Sequence, residues 1–114
     1  MVYRGGCHCG KVTLEVEGDI AGAISCNCSI CHKRGSLLWF APREKMKVTG
    51  EAELTTYTFN KHVIKHRFCK TCGVLPFGEG VDPKGNKMAA INIRVLDGIE
   101  LEKIPVNHYD GRSA

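Results

Sequence analysis

Seven cysteines in a chain of 114 residues are the feature that most restricts what this sequence can fold into. All seven lie in three short motifs, and none stands alone in the chain. The motifs are "CHC" with Cys7 and Cys9, "CNCSIC" with Cys26, Cys28 and Cys31, and "CKTC" with Cys69 and Cys72. Cysteines used only as small buried apolar residues would be scattered rather than paired in this way. The motifs therefore predict metal binding through thiolate sulfurs.

The odd number of cysteines argues against a framework of disulfide bonds. The N-terminus, "MVYRGGCHCG", has no apolar segment of the kind that secretory signals carry. We therefore expect a cytoplasmic protein, in which thiols stay reduced. No apolar run approaches the roughly 18 residues that a membrane span needs, so we expect no membrane partner.

The three motifs can be combined into zinc sites in two ways. Structural zinc sites are tetrahedral, with thiolate sulfurs about 2.3 Å from the metal. In the first arrangement, Cys69 and Cys72 join Cys7 and Cys9, and the cysteines of 26–31 form a separate site. In the second, Cys69 and Cys72 pair with two cysteines of 26–31 and leave thiols unused. The count favours the first arrangement because it leaves no cysteine over, and the second stays open.

The first arrangement predicts two sites of different character. A site with four thiolates is closed and structural, whereas a site with three protein ligands keeps one position for water or substrate. Cys26, Cys28 and Cys31 are therefore the candidate catalytic residues. His32 follows Cys31 directly and is a candidate fourth ligand. We expect it to lie beside the site instead, with a substrate thiol in the fourth position.

The segments between the motifs predict an all-β fold. In "KVTLEVEG", Val12, Leu14 and Val16 alternate with polar residues, which is typical of a half-buried strand. "GSLLWFAP" is typical of a strand buried on both faces, and no segment keeps a helical period over 12 residues. We predict one domain over residues 1–114, with seven or eight short strands.

The net charge gives little reason to expect a nucleic-acid partner. Seven thiolates and two divalent zinc ions add seven negative and four positive charges, which changes the formal net charge from +4 to +1. The basic residues are spread along the chain, and their densest groups lie at 32–34 and 61–67. Both groups are typical of a solvated surface, and we do not expect nucleic acid as a partner.

The motifs together resemble a known family. The order "GGCHCGKVTLEVEG", "CNCSICHKRGSLLWF", "FCKTCG" and "INIRVLDG", followed by "YDG", is similar to the glutathione-dependent formaldehyde-activating enzyme family, which shares its domain with centromere protein V. The resemblance covers nearly the whole chain and all seven cysteines. It implies a zinc-stapled β-tent of packed antiparallel sheets that holds two zinc ions. The structural zinc would be held by Cys7, Cys9, Cys69 and Cys72, and the catalytic zinc by Cys26, Cys28 and Cys31.

The resemblance also implies a reaction and its partners. The family's namesake reaction joins glutathione to formaldehyde, gives S-hydroxymethylglutathione, and is classed with the carbon–sulfur lyases. We therefore expect a zinc-dependent enzyme of thiol–carbonyl chemistry, whose partners are a small thiol such as glutathione and an aldehyde. Lys33, Arg34 and Arg94 are candidate partners for the carboxylates of such a peptide.

Two alternatives remain at this point. One is a non-catalytic zinc-stapled binding module for protein or nucleic acid, suggested by the two basic groups and by the centromere-protein relative. The other is a thiol-based reductase, which would need a free nucleophilic cysteine in 26–31 beside one structural zinc. The number of zinc ions per chain separates these alternatives. Two ions favour the first arrangement, whereas one ion favours either a reductase or a single structural zinc with incidental thiols.

Overall fold

The protein folds into two β-sheets and one short α-helix in a computed structural model that describes residues 1–113. The elements are β1 (Val2–Gly6), β2 (Thr13–Glu17), β3 (Ala23–Cys26), α1 (Ser29–Arg34), β4 (Leu38–Pro42), β5 (Met46–Thr49), β6 (Leu54–Tyr57), β7 (Lys65–Cys69), β8 (Phe77–Val81), β9 (Lys87–Asn92) and β10 (Val106–Tyr109). The predicted all-β class is confirmed. The described residues contain ten strands, whereas seven or eight were predicted.

The smaller sheet has three antiparallel strands in the order β1-β2-β5. In β2, Leu14 and Val16 are buried while the residues between and beside them are exposed or half-buried, as the alternation in "KVTLEVEG" predicts. Met46 of β5 lies opposite Val16 and is also buried. One face of this sheet therefore covers the core.

The larger sheet has seven strands in the order β10-β3-β4-β9-β8-β7-β6. All of its pairs are antiparallel except β10 with β3, which run parallel. The core between the two sheets contains Trp39 of β4, Phe77 of β8 and Ile91 of β9, together with the buried face of the smaller sheet. The opposite face of the larger sheet points away from that core.

One strand is less buried than the sequence predicts. Trp39 and Ala41 of β4 face the core, so Phe40 between them must point to the opposite face. Phe40 is 49% exposed there, and the prediction that "GSLLWFAP" is buried on both faces is wrong at this residue.

Helix α1 and strand β1 were not predicted. A helix of six residues is too short to establish a periodic pattern. It ends at Gly35, whose φ of 74° lies in the left-handed region that favours glycine. Within residues 1–113, neither α1 nor any other helix has the length and apolar character needed to cross a membrane.

Candidate metal centres

Two turns bring four cysteines together. Cys7 and Cys9 follow β1 of the smaller sheet, whereas Cys69 ends β7 of the larger sheet and Cys72 lies in the turn after it. The four Sγ atoms all lie within 4.8 Å of one another. Cys9 Sγ is 3.6 Å from both Cys7 Sγ and Cys69 Sγ. A tetrahedron of sulfurs about 2.3 Å from zinc has edges of roughly 3.8 Å, so this spacing suits a zinc ion.

Backbone amides in these turns point at the sulfurs. The N–H of Val12 donates to Cys7 Sγ and the N–H of Thr71 donates to Cys69 Sγ, both at 3.4 Å. Gly73 follows Cys72 with a φ of 79°, a left-handed conformation that a residue with a side chain adopts only with strain. Amide donors stabilise the thiolate relative to the thiol, and the thiolate is the form that binds metal.

The four thiols do not ionise equally. The backbone N–H groups of Val74 and Cys9 lower the pKa of Cys72 to about 6. The backbone N–H of Lys11 also lowers the pKa of Cys9, but desolvation and the three neighbouring thiols outweigh it and raise that pKa to about 11. A second thiolate next to the first is therefore costly unless a cation accompanies it, and a divalent metal supplies that cation.

The other three cysteines form a second group. Cys26 ends β3, Cys28 lies just before α1, and Cys31 lies in the helix. Their Sγ atoms also lie within 4.8 Å of one another, and the N–H of Cys28 donates to Cys26 Sγ at 3.4 Å. The seven cysteines thus group as four and three, as the first arrangement predicts. Their roles as metal ligands stay predictions.

Ionisation is also unequal in the group of three. Burial raises the pKa of the Cys28 thiol, but the backbone N–H of Cys31 and the neighbouring thiols outweigh it and hold that pKa below its usual range. Burial raises the pKa of Cys31 to about 12, and the nearby sulfurs add to the effect. Several thiolates in this group again require a cation among them, and sulfur ligands are those that zinc accepts readily.

The C-terminal segment wraps over the group of three. Asn27 Nδ2 donates to Asp110 Oδ1 at 2.9 Å, and Asn27 Oδ1 accepts the N–H of Arg112 at 3.0 Å. Gly111 lies between them, so close to the group that a Cβ there would be 2.6 Å from Cys26 Sγ. This explains the glycine of "YDG", which the sequence displayed without giving a reason for it.

A cleft of about 390 Å³ opens beside the same group. Its lining includes Cys26, Cys31 and His32 together with His108 and Tyr109 of β10. His32 therefore lies beside the site, at an exposed position. In residues 1–113, no histidine joins either cysteine group within the 4.8 Å that relates the sulfurs.

Arg34 at the end of α1 turns back toward Cys31. Its Nη2 lies 4.0 Å from Cys31 Sγ and donates to His66 Nδ1 at 3.4 Å, while its Nε donates to Ser36 Oγ at 3.2 Å. The His66 ring in turn stacks on Phe59, with ring centroids 5.4 Å apart. Sequence reasoning missed Ser36 and His66, because only the fold brings β7 beside α1.

The other two candidate partners for a peptide carboxylate are placed differently. Lys33 and Arg94 are both exposed to solvent. Arg34 was predicted together with them, but its guanidinium is already engaged by Ser36 and His66. Lys33 and Arg94 are therefore accessible to a ligand in solution, whereas the guanidinium of Arg34 is held within the protein.

Fold and sites together define an all-β protein with two cysteine groups, one of four and one of three, each able to hold a metal ion. The family model described as "Glutathione-dependent formaldehyde-activating enzyme" matches residues 2–109. The chain belongs to this family, and the predicted resemblance is confirmed. A crystal structure of a Rhodobacter sphaeroides protein is similar in fold, with a TM-score of 0.78 and 33% identity. The match covers 91% of this chain and 99% of that one.

Curated relatives carry the same family name. A protein of Colletotrichum graminicola named "Putative glutathione-dependent formaldehyde-activating enzyme" is 36% identical over 78 residues, and a protein of Talaromyces marneffei with the same name is 31% identical over 78 residues. Each match covers 63% of this chain. The chain spans only 41% and 42% of those two relatives, respectively.

Proposed function

We propose that this chain is a zinc-dependent enzyme of thiol–carbonyl chemistry, formally a carbon–sulfur lyase, whose reaction joins glutathione or another small thiol to formaldehyde or a related aldehyde. Membership of the family supports this class of reaction. The observation that carries the proposal is the group of three cysteines beside an open cleft. Three sulfurs are one fewer than a closed tetrahedral zinc site contains, and the cleft gives a small thiol access to that side.

The fit of the residues to zinc rests on the donor set. Cys26, Cys28 and Cys31 offer three sulfurs close together, and the backbone N–H of Cys28 donates to Cys26 Sγ. Zinc bound there would supply acidification of a substrate thiol, because metal coordination strongly lowers a thiol pKa. Zinc bound to three thiolates would carry one net negative charge beside the cleft, which would disfavour a second anion unless a cation lies nearby.

The bond changes balance without an oxidant or reductant. The sulfur of the thiol forms a bond to the aldehyde carbon, and the electron pair of the carbonyl π bond moves to the oxygen. The proton lost by the thiol ends on that oxygen, giving a hydroxymethyl thioether. The cleft residues contribute by holding the two small reactants together, which replaces an encounter in solution by one in a fixed geometry.

The reaction is tested by the exchange rate of the adduct. We expect zinc-loaded protein, mixed with glutathione and formaldehyde, to accelerate adduct exchange in NMR spectra above the uncatalysed rate. Cys31→Ser should lose most of that acceleration, because it removes one sulfur of the group of three. Lys84→Gln, at an exposed position in the β8–β9 turn, is the matched control and should react like the wild type. A wild-type rate equal to the uncatalysed one, with two zinc ions per chain verified, would exclude this pair of substrates.

Other thiols belong in the same experiment. The chain spans about two-fifths of the curated relatives, so the identity of the thiol does not follow from their name. Cysteine and cysteinylglycine, which lack parts of glutathione, separate the sulfur from the peptide. If the exposed Lys33 and Arg94 bind carboxylates, glutathione will saturate the protein at lower concentration than cysteine.

Contacts within the protein engage part of the charge in the two basic groups. In 32–34 the Arg34 side chain turns toward Cys31, and in 61–67 His66 is buried. Arg67 pairs with Glu79 at 2.6 Å. These contacts reduce the charge available to a phosphate backbone, so we keep catalysis as the proposal. A binding assay with DNA at low salt tests the alternative, since such binding would weaken steeply with salt.

A further inference from the structure

We infer that Arg34 is a positioning residue of the group of three, held by Ser36 and His66 so that its guanidinium places a fixed positive charge beside Cys31. This inference deepens the proposed function, because it assigns a counter-charge to the same site. It goes beyond the sequence-based expectation, in which Arg34 was a candidate partner for a substrate carboxylate.

Two polar residues are buried beside Arg34. Ser36 is 5% exposed and His66 is 8% exposed, although both carry groups that form hydrogen bonds. Burying such groups without partners is unfavourable. Ser36 Oγ accepts from Arg34 Nε, and His66 Nδ1 faces Arg34 Nη2. The two buried residues are therefore satisfied by one arginine, which they fix in turn.

Arg34 donates both of its hydrogen bonds, to Ser36 and to His66. Arginine carries only donors, so Arg34 must donate to both partners. His66 Nδ1 therefore has to be the unprotonated nitrogen of a neutral ring. Burial lowers the pKa of His66, and the charge of Arg34 lowers it further, which favours that neutral form. Stacking on Phe59 fixes the plane of the ring. The histidine is thus a rigid acceptor that orients the guanidinium.

The guanidinium of Arg34 lies close to the sulfur of Cys31. The Nη2 atom that donates to His66 is also 4.0 Å from Cys31 Sγ. At that distance the interaction is mainly one of charge rather than a short hydrogen bond. Cys31 is the buried member of the group, so its thiolate is the least stabilised by water. A fixed positive charge beside this sulfur would offset part of the excess negative charge of a divalent ion held by three thiolates.

Three thiolates around a divalent ion leave one excess negative charge. Among the described residues, the side chain of Arg34 contacts Cys31, Ser36 and His66 and forms no ion pair with a carboxylate. Its positive charge is therefore not neutralised by an acidic residue. The neighbouring Lys33 has the same charge but is exposed to solvent. The chain therefore provides its own comparison between a fixed charge and a mobile one.

The test measures metal affinity and requires neither glutathione nor formaldehyde. Zinc is titrated into metal-free protein in competition with a chromogenic chelator, for the wild type, Arg34→Gln and the matched control Lys33→Gln. We expect Arg34→Gln to weaken the weaker of the two zinc-binding steps about 10-fold, as the loss of residues that orient metal ligands commonly does. The tighter step should not change, and Lys33→Gln should match the wild type. Equal affinities for the two variants would overturn the inference.

A spectrum separates an electronic effect from a merely structural one. With one equivalent of zinc in the tighter group and cobalt(II) in the other, we expect the sulfur-to-cobalt charge-transfer band to move to lower energy in Arg34→Gln. The sulfur becomes more electron-rich when the positive charge is lost. Arg34→Lys keeps the charge and should recover the band position in part, and a lysine variant identical to Arg34→Gln would overturn the assignment of charge.

Ser36→Ala covers the case in which Arg34→Gln fails to fold. It removes only the hydroxyl that holds Arg34 Nε. We expect the same changes in affinity and spectrum, but smaller, and no change in either would contradict the inference. Because all readouts concern metal binding, a protein that lacks the proposed activity can still show the effect of Arg34. A protein that has the activity can equally fail to show it.

Discussion

At Gly111 the backbone of the C-terminal segment comes within a side chain's width of the group of three. A Cβ there would lie 2.6 Å from Cys26 Sγ and 3.2 Å from Cys28 Cβ. Asn27 fixes this approach from both sides, through Asp110 and through the N–H of Arg112. The hydrogen bond from Asn27 also holds the pKa of Asp110 below its usual range, which keeps the carboxylate ionised as an acceptor. Only a residue without a Cβ fits at position 111 without displacing Cys26 or the C-terminal segment.

Gly111→Ala should weaken zinc binding by the group of three without unfolding the protein. The added methyl group has to displace Cys26 or the C-terminal segment, and overpacking of this kind costs about 1–3 kcal/mol. We expect the weaker zinc-binding step in a competition titration to lose about 10-fold or more in affinity, by the conversion of roughly 1.4 kcal/mol per factor of ten.

The control for this prediction is Arg112→Ala. It keeps the backbone N–H that donates to Asn27 and adds no atom near Cys26. We expect it to bind zinc like the wild type. If Gly111→Ala also bound zinc like the wild type, the C-terminal segment would have no part in shaping the site.

At the scale of the elements, the carboxylate of Glu79 in β8 connects this strand to β7 and to the turn after β4. Glu79 of β8 accepts from Arg67 of β7 at 2.6 Å and from Arg43 at 2.8 Å. Arg43 lies in the 3₁₀ turn that follows β4 and also sits over the Phe77 ring, 5.8 Å from its centroid. Burial raises the pKa of Glu79, but the two arginines outweigh it and hold that pKa below its usual range. The ionised form is therefore the one that stabilises the fold.

Glu79→Gln should destabilise the protein by about 1 kcal/mol at neutral pH, which is the usual contribution of a partly exposed hydrogen-bonded charge. Since the carboxyl pKa is lower in the folded than in the unfolded state, its stabilisation is full above the unfolded pKa of about 4.5. It is lost as pH falls through the folded value. Urea unfolding of both proteins at several pH values measures the difference.

Glu51→Gln is the matched control, because Glu51 pairs with the same Arg43 at 3.2 Å but is 53% exposed. We expect it to change stability by less than about 0.5 kcal/mol at any pH. The comparison between the two variants also cancels the loss of zinc in acid, which affects both proteins alike. A Glu79→Gln effect that stayed constant down to the lowest pH would contradict the role assigned to the ionised carboxylate.

For the whole molecule, the group of four brings together segments of the two sheets. Cys7 and Cys9 follow a strand of the smaller sheet, whereas Cys69 ends a strand of the larger sheet and Cys72 lies after it. The group of three instead joins β3, α1 and the C-terminal segment, all on one edge of the larger sheet. Loss of metal from the two groups should therefore have different consequences for the fold.

We expect two zinc ions per chain and their removal by a chelator in two phases. The first phase should empty the group of three and leave the far-ultraviolet circular dichroism unchanged. The second should empty the group of four and lead to unfolding, because four thiolates then repel one another at the junction of the sheets. Zinc release and circular dichroism, followed together, measure both phases.

A single zinc ion per chain would contradict the assignment of two sites and favour a reductase with free thiols at 26–31. Release of both ions in one phase, together with unfolding, would instead show that the two groups depend on each other. Cys31→Ser provides the reference for the first phase, since we expect it to retain only the zinc of the group of four.

The strand character and the cysteine motifs follow from short stretches of the sequence. Alternation in "KVTLEVEG" located β2 and its buried face, because side chains of a strand alternate whatever the rest of the fold does. Cys69 and Cys72, like Cys26, Cys28 and Cys31, are separated by only one or two residues, so each motif keeps its cysteines close together in the chain. These features depend on a few neighbouring residues, so local covalent geometry is enough to fix them.

Which motifs meet, and which residues surround them, depends on the tertiary fold. Cys9 and Cys69 are 60 positions apart, and Asn27 and Asp110 are 83 apart. Arg34 reaches His66 only because the folded sheet carries β7 past the end of α1. Such contacts follow from sheet register and strand order, which are set by the sum of many weak interactions across the whole core rather than by any short stretch of sequence.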